Sequence, residues 1–285
     1  MTSSATVDAL LPLTVLVTVL LGTMGVFFAR CATLGRPRTP AVEERSASRL
    51  WKWWMEWWIW LWGPVERTCI RLGISPDAIT VASTLLTGVA AVLLGAGHLS
   101  VGGWLYLFAA SFDLVDGRVA RATGRATKAG AFLDSTLDRV SELAVFAGLA
   151  VYFREGPALL ASLAAAASSV LVSYARARGE ALGAGDAAKV GGMQRPERVV
   201  LTGIPCALSP LADAIFGPLA GDIVAGSALA LLAIVTSFTA AHRFGVIWRA
   251  LREAEPGAAR TSPSAFGGLA NVRWLDAGRR KRVSR

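Results

Sequence analysis

The stretch SFDLVDGRVARATGRATKAGAFLDSTLDR, residues 111–139, carries four aspartates in two pairs, each at one end of an apolar segment. Asp113 and Asp116 are three residues apart. Asp134 and Asp138 are four apart. Residues at these spacings share one face of a helix, and acids in lipid-facing helices are rarely present without a function. Carboxylates gathered from two helices repel one another unless a cation lies among them, so the stretch predicts a site for hard divalent cations, with two ions expected.

Small residues and one arginine lie between the two acidic pairs. Gly117, Ala120 and Gly130 allow another helix or a ligand to come close to the backbone. Arg121 offers a planar cation that suits a phosphate. Together with the aspartates, these residues predict a site for a metal-bound pyrophosphate. The alternative is a solvated helix end with incidental spacing, which the rarity of acids in membrane helices disfavours.

The composition excludes an ordinary soluble domain. The chain has 285 residues, is 54% hydrophobic and carries a net charge of +9. It is therefore predicted to be all-α, a polytopic bundle of membrane helices. The cations lie between apolar segments rather than in one block, so they predict cytoplasmic loops and contact with membrane lipids, and no nucleic acid as a partner.

Four regions are predicted along the chain. Residues 1–42 form an extra transmembrane helix and linker, and residues 43–72 a tryptophan-rich amphipathic helix at the membrane surface. Residues 73–252 form the main transmembrane domain, and residues 253–285 a basic, flexible tail. A base-stacking platform for single strands is the weaker alternative for the tryptophans.

Six apolar segments in the main domain are long enough to span a bilayer. Their approximate ranges are 78–97, 100–121, 130–153, 156–174, 198–220 and 221–242. If the Arg30–Arg71 region is inside, nearly all other cations also fall inside and only Arg154 falls outside. This topology predicts a multi-pass protein of the cell membrane, with the aspartates facing the cytoplasm.

The spacing Asp113-x2-Asp116-Gly117-x2-Ala120-Arg121-x8-Gly130-x3-Asp134-x3-Asp138 resembles the signature of the CDP-alcohol phosphotransferase family, integral membrane enzymes of phospholipid synthesis. All eight signature positions match. The resemblance implies a six-helix core, to which the N-terminal span and the tryptophan-rich helix are additions. It also implies Mg²⁺ or Mn²⁺ as cofactor, CDP-diacylglycerol and a small polar alcohol as substrates, and a homodimer.

The same resemblance assigns roles residue by residue. It makes Asp113, Asp116 and Asp134 metal ligands, and it gives Asp138 both metal binding and the role of general base. By the same resemblance, the remaining signature residues would contact the CDP group. They are Gly117, Ala120, Arg121 and Gly130. The implied reaction is attack of an acceptor hydroxyl on the lipid-side phosphorus, with CMP as the leaving group.

The acceptor is predicted from a group of arginines around the last cytoplasmic loop, which are Arg176, Arg178, Arg195 and Arg198. Such a group suits an acceptor with its own phosphate, although ordinary positive-inside residues explain it equally well. The segments YARAR (174–178) and QRPER (194–198) resemble the branch of the family that uses inositol phosphate. Inositol 1-phosphate is therefore the expected acceptor, with glycerol 3-phosphate as the alternative. Glu142, one turn beyond Asp138, is expected either to shape the acceptor pocket or to pair with a neighbouring helix.

A function from another class is a non-enzymatic, ion-coupled carrier, in which intramembrane acids form a cation path. Such a carrier would hold its acids near the membrane midplane. Here the acids fall at one predicted face beside a basic loop, so the sequence favours the enzyme.

Overall fold

A computed structural model of the chain describes residues 3–37 and 49–254, and all its regular elements are helices. The helices are α1 (Ser3–Leu34), α2 (Arg49–Arg71), α3 (Pro76–Gly95), α4 (Leu99–Ala122), α5 (Lys128–Tyr152), α6 (Ala158–Ala181), a 3₁₀ turn (Gly185–Lys189), α7 (Arg195–Ala207), α8 (Ser209–Phe216) and α9 (Ala220–Ala254). The predicted all-α membrane bundle is confirmed. The linker around residues 38–48 and almost all of the predicted tail lie outside the described residues.

Within the described ranges, α1, α3, α6 and α9 are long and apolar enough to cross a membrane. Helices α4 and α5 are 24 and 25 residues long but carry the charged residues of the signature. The segment predicted as one span at residues 198–220 is bent, because α7 and α8 meet there at an angle of 47°. Together the two helices are long and apolar enough for a broken span or a re-entrant loop. Pro210 in the first turn of α8 has no N–H for the carbonyl one turn earlier, so the helix breaks at this point.

The core forms where α3 packs on α4 and α5, α4 on α7, and α6 on α9. Leu94, Phe146 and Leu229 belong to one buried apolar cluster that joins these helices. Glycine permits the closest approach: a Cβ on Gly148 would lie 2.2 Å from the carbonyl oxygen of Ala91. Small residues at helix contacts are how membrane helices gain packing area, because lipid supplies no hydrophobic driving force between them.

The tryptophan-rich helix α2 is packed on both sides by other helices. Trp57 is buried beside Phe27 of α1, and Trp62 is buried in a cluster with Val115 of α4. Glu56 is also buried and is ion-paired with Arg36. Helix packing therefore accounts for part of the tryptophan content, and the position of α2 at the membrane surface stays a prediction.

Candidate active site

Helices α4 and α5 bring the two acidic pairs to the same end of the bundle, on either side of a short turn. Gly124 in this turn has a φ of 67°, which glycine adopts without the steric cost of a side chain. Thr127 then caps α5, since its Oγ1 accepts a hydrogen bond of 3.0 Å from the backbone N–H of Gly130. A Cβ on Gly130 would lie 3.2 Å from Asp77 Oδ1, so this position favours glycine.

A pocket of about 210 Å³ opens at this end of the bundle. It contains all four predicted CDP-binding residues and two of the four predicted metal ligands. Its lining residues are Pro76, Asp77, Thr80, Asp116, Gly117, Ala120, Arg121, Arg125, Ala126, Thr127, Gly130, Ala131 and Asp134. Six of the eight signature positions therefore share one cavity, even though they come from two helices, and Asp113 and Asp138 are not among its lining residues.

Hydroxyl groups of α3 orient the aspartates of α4. Thr80 donates a 2.6 Å hydrogen bond to Asp116 Oδ2, and Ser83 donates to Asp113 Oδ1 at 3.3 Å. The backbone N–H of Gly117 donates to Asp116 Oδ1 at 2.5 Å. Sequence reasoning missed Thr80 and Ser83. A row of hydroxyls on one face of an otherwise apolar helix, completed by Thr87, was the signal that could have found them.

Arg195, the first residue of α7, bridges the two acidic helices. Its Nη1 is ion-paired with Asp113 and lies 2.7 Å from Asp138 Oδ1. Pro196 lies in the first turn of α7, and Glu197 accepts a 2.8 Å hydrogen bond from the backbone N–H of Gln194. Both residues fit the predicted helix start. A guanidinium is thus held beside the carboxylate predicted to act as base.

The other three predicted acceptor arginines do not join Arg195. Arg198 and Glu142 are both buried and form two hydrogen bonds of 2.6 and 3.0 Å. Arg176 pairs with Glu180 on the outside of α6, and Arg178 lines a separate apolar groove between α6 and α9. The four arginines of the expected cluster therefore lie in four different places, because a helix turns neighbouring arginines to different faces. The pairing expected as one alternative for Glu142 is the one observed.

The four aspartates offer only oxygen ligands, which hard divalent cations prefer. In the described part of the chain no three acidic, histidine or cysteine side chains converge closely enough to hold a metal ion. Asp113 and Asp138 instead share the guanidinium of Arg195, so two of the carboxylates already gather around a positive charge. The oxygen donors, two of which line the pocket as Asp116 and Asp134, fit a site for a divalent cation.

The sequence profile of the CDP-alcohol phosphatidyltransferase family matches residues 73–239. The chain is 36% identical over 193 residues to the phosphatidylinositol phosphate synthase of Mycobacterium tuberculosis, which covers 65% of this chain and 84% of that protein. It is 32% identical over 250 residues to the enzyme of the same name from Streptomyces avermitilis, covering 84% of this chain and 98% of that protein.

Two solved structures of the M. tuberculosis phosphatidylinositol phosphate synthase are similar to this fold, each with a TM-score of 0.59 and 32% sequence identity. One contains manganese and citrate and covers 70% of this chain and 92% of that chain. The other has CDP-DAG bound and covers 70% of this chain and 97% of that chain.

Proposed function

The chain belongs to the CDP-alcohol phosphatidyltransferase family, and we propose that it transfers a phosphatidyl group from CDP-diacylglycerol to an inositol phosphate. It is a membrane enzyme of phospholipid synthesis that depends on a divalent metal. The observation that carries the acceptor assignment is the contact of Arg195 with Asp138. Arg195 is suited to bind the acceptor's phosphate, and it lies beside Asp138, which removes the proton from the acceptor's hydroxyl.

The acceptor hydroxyl oxygen forms a bond to the lipid-side phosphorus of CDP-diacylglycerol, and the bond from that phosphorus to the oxygen of the CMP phosphate breaks. CMP leaves with the bonding electrons, and Asp138 takes the hydroxyl proton. The products are phosphatidylinositol phosphate and CMP.

The pocket residues bind and orient the CDP group. Gly117, Ala120 and Gly130 leave room for the pyrophosphate beside the backbone, and Arg121 supplies a cation to it. Asp113, Asp116, Asp134 and Asp138 would hold the divalent ions, two in number. A bound divalent ion supplies charge neutralisation for the pyrophosphate and the departing phosphate.

In this proposal the acceptor is a phosphorylated polyol. An arginine beside the catalytic carboxylate can bind the phosphate of such an acceptor, whereas a neutral alcohol has no charge for it to bind. The names of the relatives support inositol phosphate over glycerol 3-phosphate. Arg176 and Arg178 have contacts elsewhere, so Arg195 is the acceptor-binding arginine that we propose.

Three further features are part of the proposal. The active site faces the cytoplasm, since the cations of the α4–α5 turn and of the loop before α7 follow the positive-inside rule. The enzyme acts as a homodimer. The four regions of the chain have the boundaries 1–42, 43–72, 73–252 and 253–285.

The testing experiment supplies labelled CDP-diacylglycerol with inositol 1-phosphate, glycerol 3-phosphate, free inositol or serine, each with and without Mn²⁺. We expect metal-dependent CMP release with inositol 1-phosphate above all the others. Conversion of serine or free inositol alone would refute a phosphorylated acceptor. Ion transport without CMP release would identify a carrier instead.

A further inference from the structure

A concave apolar groove follows the seam between α6 and α9, and it shares no lining residue with the candidate active-site pocket. Its volume is about 880 Å³, within the range of about 300–1,000 Å³ that sites for small molecules usually occupy. Alanines such as Ala167 and Ala241 line it together with larger side chains such as Leu171 and Phe244. Every lining residue belongs to α6, to its C-cap Leu182 or to α9, so within the described ranges no third helix covers the groove.

The groove has the length of one bilayer leaflet and carries charge at one end only. On α9 it extends from Ser237 to Leu251, which is about 21 Å at the usual helical rise per residue. Half a bilayer with its headgroups measures about 20–22 Å. Arg178 is the one charged residue among those that line the groove, and it lies in the last turn of α6. Because α6 begins at the far end of the bundle, where α5 finishes, Arg178 lies at the end that holds the active-site pocket.

Aromatic side chains and a second arginine lie at the same end. Tyr174 and Trp248 both line the groove, and both are exposed. The guanidinium of Arg252 lies over the Trp248 ring, 4.8 Å from its centroid, and such a contact holds a positive charge in place. Tryptophan and tyrosine are enriched at the level of lipid headgroups. The charged end of the groove is therefore expected at headgroup level, with the apolar remainder beside acyl chains.

The guanidinium of Arg178 is available to an external anion. No described side chain pairs with it, and Glu180, an acid of the same helix, pairs with Arg176 instead. Arginine binds a phosphate through a planar fork of N–H donors. A phosphate at this end of the groove would therefore satisfy a charge that the described residues leave unpaired.

We propose that the α6–α9 groove binds one anionic phospholipid of the surrounding leaflet. One acyl chain lies between the two helices, and the phosphate is bound by Arg178 and Arg252. Exposed apolar side chains alone would indicate only the general contact with lipid that every membrane helix makes. The concave shape, the leaflet length and the two cations at one end make this contact selective for an anionic lipid. The proposal does not depend on which substrates the enzyme uses.

A second copy of the chain is a poorer occupant of the groove. Two copies related by a two-fold axis place the same surface on both sides of their contact. A groove that faces itself encloses a void, and a void forfeits the packing contacts that hold membrane helices together. The axis would also bring Arg178 of both copies to the same membrane level, where like charges repel.

Occupation of the groove should stabilise the packing of α6 on α9. The two helices meet closely at its charged end, where a Cβ on Gly179 would lie 2.9 Å from Ile247 Cδ1. A lipid that contacts both helices binds the folded protein and not the unfolded chain, so the melting temperature should rise with the lipid concentration.

The first test titrates the detergent-solubilised full chain with phosphatidylglycerol and, separately, with phosphatidylcholine, and measures bound lipid by native mass spectrometry. We expect tighter binding of phosphatidylglycerol. Arg178→Gln should weaken that binding about fivefold, the scale of one arginine in contact with anionic lipid, and should leave the binding of phosphatidylcholine unchanged. Equal affinity of the wild-type protein for the two lipids would overturn the proposal.

Arg252→Gln should weaken the binding in the same way, and Arg249→Gln is the matched control. Arg249 is exposed on the same helix and near the same end, but it does not line the groove. Its replacement removes the same charge from the protein and should change the affinity for phosphatidylglycerol little. An equal loss in Arg178→Gln and Arg249→Gln would reveal a general effect of net charge and would refute a specific site.

The second test locates the bound lipid. Phosphatidylglycerol with a photoreactive acyl chain should label peptides that contain Leu171 and Phe244, and Ala167→Trp should abolish this label by filling the groove. Val170→Trp is the control, because Val170 is exposed on the same helix but does not line the groove. If Ala167→Trp does not fold, Arg178→Gln gives the same test through a weaker label. Label confined to the helices around the active-site pocket would contradict the proposal.

A third test asks whether a second copy fills the groove instead. Leu171→Cys places a thiol in the groove, and the protein is then oxidised in native membranes. The natural cysteines Cys31, Cys69 and Cys206 are buried, so the wild-type protein is the control. We expect the variant to run as a monomer on a non-reducing denaturing gel. A disulfide-linked dimer through position 171 would identify a second copy as the occupant and would rule out the lipid.

Discussion

Arg195 Nη1 lies 2.7 Å from Asp138 Oδ1, and this contact joins the start of α7 to the acidic face of α5. We predict that Arg195→Ala raises the KM for inositol phosphate by about 10- to 100-fold, the scale of one charge-assisted hydrogen bond. The KM for CDP-diacylglycerol should stay within about twofold, since the pocket residues that bind the CDP group remain. Steady-state kinetics with each substrate varied in turn would measure both constants.

Arg154→Ala is the control for this variant, because Arg154 is exposed at the opposite end of the bundle and pairs only with the adjacent Glu155 among its described contacts. Arg176→Ala distinguishes the sequence prediction from the structure. A four-arginine acceptor site would give Arg176→Ala an effect comparable to that of Arg195→Ala. The pairing of Arg176 with Glu180 predicts a much smaller one.

Replacing Asp113 or Asp134 with asparagine should remove most activity while leaving membrane insertion intact. The amide keeps the shape of the side chain but loses the charge that holds a divalent cation. CMP release should be measured over a range of Mn²⁺ concentrations, together with the yield of protein in the membrane fraction. Asp186→Asn is the control, since this aspartate is exposed and pairs with Lys189. Near-normal turnover in either active-site variant would refute its assignment as a metal ligand.

The hydroxyl of Thr80 orients Asp116, so Thr80→Val should weaken metal binding without removing a metal ligand. We expect the Mn²⁺ concentration for half-maximal activity to rise by about 10-fold or more, as is usual when the partner of a metal ligand is lost. Thr84→Val is the matched control on the same helix, because among the described residues the Thr84 hydroxyl bonds only to the carbonyl of Thr80 one turn away. Equal effects of the two substitutions would show that Thr80 acts through α3 and not through Asp116.

Glu142 and Arg198 form a buried ion pair, and removing one partner alone should strongly destabilise the protein. Glu142→Ala leaves an uncompensated buried guanidinium, which costs about 3–5 kcal/mol. Replacing both residues with methionine removes the two charges together and should recover most of the loss. Melting curves of the detergent-solubilised protein would measure both variants. A double variant as unstable as the single one would show that packing, and not the unpaired charge, is the cause.

The contact of Gly148 with Ala91 predicts a strong effect of added volume. In Gly148→Ala the new methyl group would lie 2.2 Å from a backbone carbonyl oxygen, so α3 and α5 must move apart. We expect a loss of about 1–3 kcal/mol, the usual cost of overpacking a core. Gly88→Ala is the control, because its Cβ would meet nothing within 4 Å. A melting temperature equal to that of Gly88→Ala would contradict the close packing.

Much of the fold follows from local features of the sequence. Apolar length predicts the helices, and the Pro76 and Pro196 signals agree with the observed helix starts, because these features act within one or two turns of a helix. The sequence did not predict the bend between residues 198 and 220, where hydropathy was read as one straight span. Pro210 breaks it into α7 and α8, and hydropathy does not register a lost hydrogen bond.

The candidate site was also predicted only in part from the sequence. The signature spacing grouped Asp116, Gly117, Ala120 and Gly130, and all four line one pocket. Within each helix, periodicity decides which residues share a face. Periodicity cannot say which distant helix that face meets. The partner of Asp113 and Asp138 is Arg195, 82 residues after Asp113, and the arginine next to it on α7 turns instead to Glu142. Helix packing decides which arginine reaches the aspartates.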